Sequence, residues 1–191
     1  MGYNQSDWVP LDLLGYLDNA IETAPRRGDF SVTLTSGRIY LSYVTAYRTQ
    51  AITQLGTVCR LTAVGTLTSH RLGVYTIADS GDLTLAARTA SQVAGTYSST
   101  LTEYPYALDT TGGFPATYVL QKGVRYAFGM ITVFASTAPA VKGDTVNLAT
   151  ATLIRPPRLS AHVAGQTDLL TTITAASFGS TNDTVYQFAL A

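Results

Sequence analysis

From Phe30 onwards apolar and polar residues alternate with a period of two, the spacing of a strand that buries one face. Val32 and Leu34 open such a run, and Ser36-Gly37 ends it in a turn. In the next run Ile39, Leu41 and Tyr43 share one face, with Tyr40, Ser42 and Val44 on the other. Residues 72–77 and 83–88 flank Asp79-Ser80-Gly81-Asp82, a turn sequence that predicts a hairpin. Residues 117–120 and 124–134 flank Gln121-Lys122-Gly123 and read as a second hairpin. Within it Tyr126, Phe128, Met130 and Phe134 fill one face, while Ala127 and Gly129 leave the other nearly bare. A bare face admits a closely packed layer, whether a second sheet, a loop or another subunit.

Between these hairpins, residues 93–115 are rich in Tyr, Ser and Gly and too long for a simple connection, so they read as a binding-type loop on a rigid scaffold. After Pro156-Pro157, "RLSAHV" reads as a strand, "AGQTDL" as a turn and "TTITAASF" as a strand. The last residues alternate Tyr186, Phe188 and Leu190 with Val185, Gln187 and Ala189, which implies a terminal strand paired into a sheet. About eight to ten strands punctuated by turns predict an all-β chain, a jelly-roll-like antiparallel β-sandwich over residues 29–191. Residues 1–28 differ. Leu13, Leu17 and Ile21 recur every four residues behind Pro10, predicting a short helical arm that ends before the linker "APRRGD". Trp8, with Leu11, Leu14 and Tyr16, either covers the bottom of the β-domain or grips a neighbouring protein.

Composition supports strands and argues against several partners. Thr, Val and Tyr are abundant, and such side chains suit a pleated, half-buried surface. Charged residues are only 13% of the chain, and 12 basic residues balance 12 acidic ones. Zero net charge gives no reason to expect nucleic acid, whose binding needs a basic patch. So little charge favours burial of surface against other subunits, hence a homo-oligomer. Cys59 is single and sits in a strand-like run, which predicts a small buried hydrophobe. No apolar run is long enough to span a bilayer, and "MGYNQSDWVP" has no basic segment followed by an apolar core, so neither membrane insertion nor a secretory signal is expected.

Candidate chemistry is sparse, and the chain reads as a non-enzyme without a cofactor. His70 and His162 have no Cys or Glu at ligand spacing and read as surface or loop histidines. Asp79, Asp82, Asp109, Asp144 and Asp168 lie in turn-like contexts, where an Asp carboxylate bonds its own backbone. Asp79 and Asp82 alone fall short of a calcium shell. Arg27-Gly28-Asp29 matches an adhesion tripeptide but also suits a linker, and the glycosylation-type triplets at Asn4 and Asn182 carry little weight without a secretory signal. The remaining candidates are the aromatics Tyr97, Tyr104, Tyr106, Phe114 and Tyr118. They read as core or loop packing, or as contacts to a subunit or a glycan.

Three motifs carry a resemblance: Gly37 to Tyr40 in "TSGRIYLSYVTAYRT", Gly73 to Tyr75 in "RLGVYTIADSGDLTLAART", and Gly123 to Ala127 in "YALDTTGGFPATYVLQKGVRYAFGMI". With the trailing "PPRLSAHVAGQTDLL", they make residues 28–191 similar to a recurring module in virion proteins of tailed phages that infect actinobacteria. The resemblance implies a minor tail protein of the virion, a tail-associated homotrimer made in the host cytoplasm, with residues 1–28 docking it to other virion proteins and a host envelope glycan as a further partner. Similar sandwiches serve as capsid decorations or head fibres, and a stand-alone carbohydrate-binding module is the expectation from a different class.

Overall fold

The computed structural model describes residues 21–22, 30–61, 66–93, 97–98, 102–145, 160–179, 184–186 and 188–190. Among them are fifteen strands and no α-helix. In chain order these are β1 (Ile21–Glu22), β2 (Phe30–Thr33), β3 (Arg38–Thr45), β4 (Gln50–Ile52), β5 (Gln54–Leu61), β6 (Leu67–Ile77), β7 (Leu83–Arg88) and β8 (Glu103–Ala107). There follow β9 (Tyr118–Leu120), β10 (Arg125–Phe134), β11 (Ala140–Thr145), β12 (Ser160–Val163), β13 (Thr172–Ile173), β14 (Thr184–Tyr186) and β15 (Phe188–Leu190), with a 3₁₀ turn at Ala175–Ser177.

Every strand pair is antiparallel. One sheet has six strands in the order β12-β3-β10-β6-β7-β13. A second has seven, in the path β1-β15-β5-β11-β14, with β2 joined to β11 and β8 to β5; β4 and β9 form a separate ribbon. The whole is all-β and sandwich-like, with curled sheets.

The period-two pattern sorts side chains as the sequence implies. On β3 and β10, Tyr40, Tyr126, Phe128 and Met130 enter an inner core with Leu55, Cys59, Val141, Phe188 and Leu190 of the other sheet. The opposite faces carry Ile39, Leu41, Ala127 and Ile131, which join Tyr75, Leu83 and Leu85 in an outer core. The six-stranded sheet is therefore buried on both sides. Its bare face is filled by its own chain: a Cβ on Gly129 would lie 2.7 Å from the Tyr75 ring.

The outer cover is a strap, residues 164–171, running from β12 at one edge to β13 at the other. Gln166 N donates to Gly37 O at 2.8 Å, the Tyr75 hydroxyl donates to Leu170 O at 3.1 Å, and Leu85 N donates to Thr171 O at 2.9 Å. Leu169 packs over Gly73, where a Cβ would lie 2.8 Å from its Cδ1. Burying such a leucine contributes about 1.5–3 kcal/mol.

The hairpin β6–β7 forms around Gly81 as expected, with a register shift after Val74 that leaves Ala86 without a partner across the ladder. The second expected hairpin does not form as such. Its turn is present, with Gly123 at φ 80, but β9 pairs with β4 whereas β10 pairs with β3 and β6. The chain turns a corner there because the backbone around the turn bonds to the segment before β4: Gly123 N donates to Ala46 O at 2.7 Å and Lys122 N to Thr49 Oγ1 at 3.2 Å. "TTITAASF" yields only the two residues of β13 before the 3₁₀ turn. The helical stripe is also altered at its end, since Ile21 lies in β1, opposite Leu190. Trp8, Leu13 and Leu17 lie outside the described residues.

Two of the glycine–tyrosine openings have a shared physical cause. The Tyr40 hydroxyl accepts from Thr35 N at 2.6 Å, and the Tyr126 hydroxyl accepts from Gln121 N at 2.9 Å. In each, a glycine at positive φ makes the turn and the tyrosine three residues on caps an amide two residues before it. Each tyrosine thus ties its strand to the turn that precedes it.

Candidate functional site

Strand β8 falls within the stretch read as a loop, so residues 93–115 are not one open connection. Among the described residues its one partner strand is β5, and Pro105 stands in its middle opposite Gly56. A proline there is compatible with an edge strand, because it cannot donate to a ladder. Tyr104 and Tyr106 are half-buried on this strand and pack against the inner core.

Beneath β8 lies an aromatic nest around His70. Its ring centroid is 5.1 Å from that of Tyr97 and 5.5 Å from that of Tyr106, both edge-on, and Tyr97 is 5.8 Å from Tyr104. Tyr97 is completely buried, with its hydroxyl 3.6 Å from Met130 Sδ, so it offers no contact surface. It is the one non-glycine residue at positive φ among those described. Burial raises its phenol well above the usual range.

His70 corrects the surface-histidine expectation. It lies in β6 with 0% exposure, and Nδ1 is 3.0 Å from Thr132 Oγ1 while Nε2 meets no hydrogen-bond partner among the described residues. Desolvation pushes its pKa down to about 3, outweighing an opposing backbone hydrogen bond at Ile131. At neutral pH the imidazole is uncharged, and the nest acts by packing. The signal was available in the pattern: His70 has the same parity as Leu72 and Val74, which face the inner core.

Phe114 lies elsewhere, against the outer core, with the Arg88 guanidinium 4.7 Å from its ring centroid. Around it Arg71 and Arg88 approach Asp109 at 3.7 and 3.8 Å, and Arg71 reaches Asp168 of the strap at 3.0 Å. The Asp109 carboxylate is held below its ordinary range first by hydrogen bonds from the Thr111 side chain and backbone, and then by these cations. The cluster pairs two cations with two carboxylates, clamping the 109–114 loop and the strap onto the sheet.

Tyr118 belongs to a third place, the corner made by β4 and β9, where its ring meets Tyr126 edge-on at 6.1 Å. Ile52 and Leu120 of this ribbon point into the inner core, whereas Ala51 and Val119, paired across it, face outward. Tyr47, Val119 and Val124, at 41%, 42% and 44% exposure, are three of the four exposed large hydrophobic residues among those described; Val93 is the fourth. Sequence reasoning missed this corner because an outward valine and an inward one look alike in a three-residue strand.

The five aromatics thus separate into a buried nest, a clamp and a corner. The Asp79–Asp82 turn is structural. Asp82 accepts from Ala175 N at 2.7 Å and from the Ser80 hydroxyl at 2.8 Å, bonds that lower its pKa, the Ala175 bond most. His162 is held below its usual range, chiefly by partial burial. Among the described residues no three His, Cys, Asp or Glu side chains gather to hold a metal ion. No protein-family model matches the chain, and no curated protein matches it.

Proposed function

We propose that this chain is a structural component of a tailed-phage virion, a tail-associated minor protein that displays a jelly-roll domain as a homotrimer for assembly and host-surface attachment. The observation that supports this reading best is the six-stranded sheet buried on both faces and strapped by its own chain. Such a sheet is a stiff platform, and stiffness is what repeated display requires. The three glycine–tyrosine motifs that carry the resemblance to phage virion modules all lie in this platform or its turns. Weak contacts from identical platforms add through effective concentration. Tyr104 and Tyr106 turn inward from the edge strand β8 but remain half-exposed, and their exposed ring edges are the part this reading assigns to sugar contact.

Electron microscopy of virions labelled on the β-domain tests the reading. Label at the tail, in a small copy number, is expected. Label in hundreds of copies over the head would make the chain a capsid decoration, and mature particles without label would refute a virion role. A screen against host envelope glycans, with Tyr104→Ala and Tyr106→Ala as controls, tests the attachment part; binding that both variants leave intact would remove these side chains from it.

A further inference from the structure

The corner at β4–β9 leaves an apolar surface exposed. Its apolar surface is Tyr47, Ala51, Val119 and Val124. The segments that build it, residues 43–52 and 117–126, are bonded to each other: Ala46 N donates to Val124 O at 2.9 Å, Gly123 N donates to Ala46 O at 2.7 Å, and Ala51 pairs with Val119. These segments contain the basic residues Arg48, Lys122 and Arg125 and no acidic residue. Residues 1–20 have the opposite character. They contain Asp7, Asp12 and Asp18 and no basic residue, interleaved with Trp8, Leu11, Leu13, Leu14, Tyr16 and Leu17.

Strand polarity sets the end of the sheet at which β1 begins. Ile21 is opposite Leu190, and Leu190 is opposite Leu55, so β1 runs in the same direction as β5. The N-terminal end of β1 therefore lies at the end of the sheet where Gln54 and Thr53 lead back into β4. From β1 to β5 is two strand spacings, ~10 Å, and from Leu55 to Ala51 is four residues, ~13 Å. Twenty residues extend up to ~66 Å, so the reach is ample.

We propose that the corner of Tyr47, Ala51, Val119 and Val124 seats this chain's own N-terminal segment, residues 1–20, in cis, with its apolar side chains on the valines and its carboxylates towards Arg48, Lys122 and Arg125. The segment then covers the exposed apolar surface of its own β-domain. The inference stands apart from the virion reading, since it concerns the free chain.

Trp8 is the only tryptophan, so its fluorescence reports the segment directly in the full chain. In the parent protein, acrylamide should quench Trp8 much less than it quenches the urea-unfolded chain, and equally at all protein concentrations. Val119→Asp places a carboxylate against apolar groups and among the segment's own acids, which should raise the quenching constant about twofold or more. Tyr47→Asp should do the same, whereas Val93→Asp, at an exposed position outside the corner, should leave Trp8 shielded. Circular dichroism melts confirm that each variant is folded. Trp8 as open in the parent as in the unfolded chain, quenching unchanged in both corner variants, equal release by Val93→Asp, or shielding that grows with protein concentration (the segment of a second copy) would each overturn the proposal.

Discussion

Lowering the pH should destabilise this protein in large part through His70. Its imidazole is fully buried in the inner core with a pKa of about 3, against 6.5 for the unfolded chain. Between these values the unfolded state binds a proton that the native state refuses, so stability falls as pH falls. The contribution is complete above pH 6.5, is lost progressively below it, and levels off near pH 3. The slope is about 1.4 kcal/mol per pH unit, so moving from about pH 6.5 to about pH 5 removes about 2 kcal/mol. That is a large share of the roughly 5–15 kcal/mol that holds a typical domain folded. Urea unfolding of the parent and of His70→Leu across this range isolates the effect. The variant starts lower, because Thr132 loses its 3.0 Å partner, but that offset is constant and the slope is the measurement. His162 and the carboxylates contribute to both proteins and cancel in the difference. The two stabilities should converge by about 2 kcal/mol as pH drops to about 5. Parallel curves, or a folded-state NMR spectrum showing His70 as imidazolium at about pH 5, would refute the reasoning.

Tyr97→Ala should cost about 3–5 kcal/mol in chemical denaturation, the loss expected for a large aromatic removed from a core, whereas Tyr104→Ala at the half-buried edge should cost clearly less. Gly37→Ala should lower the melting temperature, since φ is 70 and the added Cβ would sit 2.8 Å from the Gln166 carbonyl of the strap; the left-handed backbone alone costs about 1–2 kcal/mol. Tyr40→Phe and Tyr126→Phe should each cost about 0.5–1.5 kcal/mol, the net worth of a hydrogen bond to an amide on an exposed turn, and a double variant should be additive if the two turns are independent.

The long strands of the centre were legible because their alternation is strict. Tyr126, Phe128 and Met130 against Ala127 and Gly129 is a pattern only a strand satisfies, and the structure divides those residues between inner and outer cores as the parity requires. Short pieces were not legible. In β4, β9 and β13, of two or three residues each, no periodicity exists to read, and pairing is decided by which backbone groups lie nearby. The site suffered most from this. Tyr97, Tyr104, Tyr106, Phe114 and Tyr118 are close in sequence, but the intervening chain crosses an edge strand, a clamp and a ribbon, which distributes their rings over three environments.

Sequence alone determined the all-β class, the faces of β3 and β10, and the glycines that turn the chain at positions 37, 81 and 123. These depend on local geometry: side-chain parity along an extended backbone, and the freedom of glycine at positive φ. Only the tertiary structure decided that β9 joins β4, that residues 164–171 cover the bare face of the central sheet, and that His70 is sealed in uncharged form. Those outcomes depend on what packs against each face across tens of residues of chain: parity along β6 gives His70 its inward face, but how completely that face is sealed from water is set by distant segments.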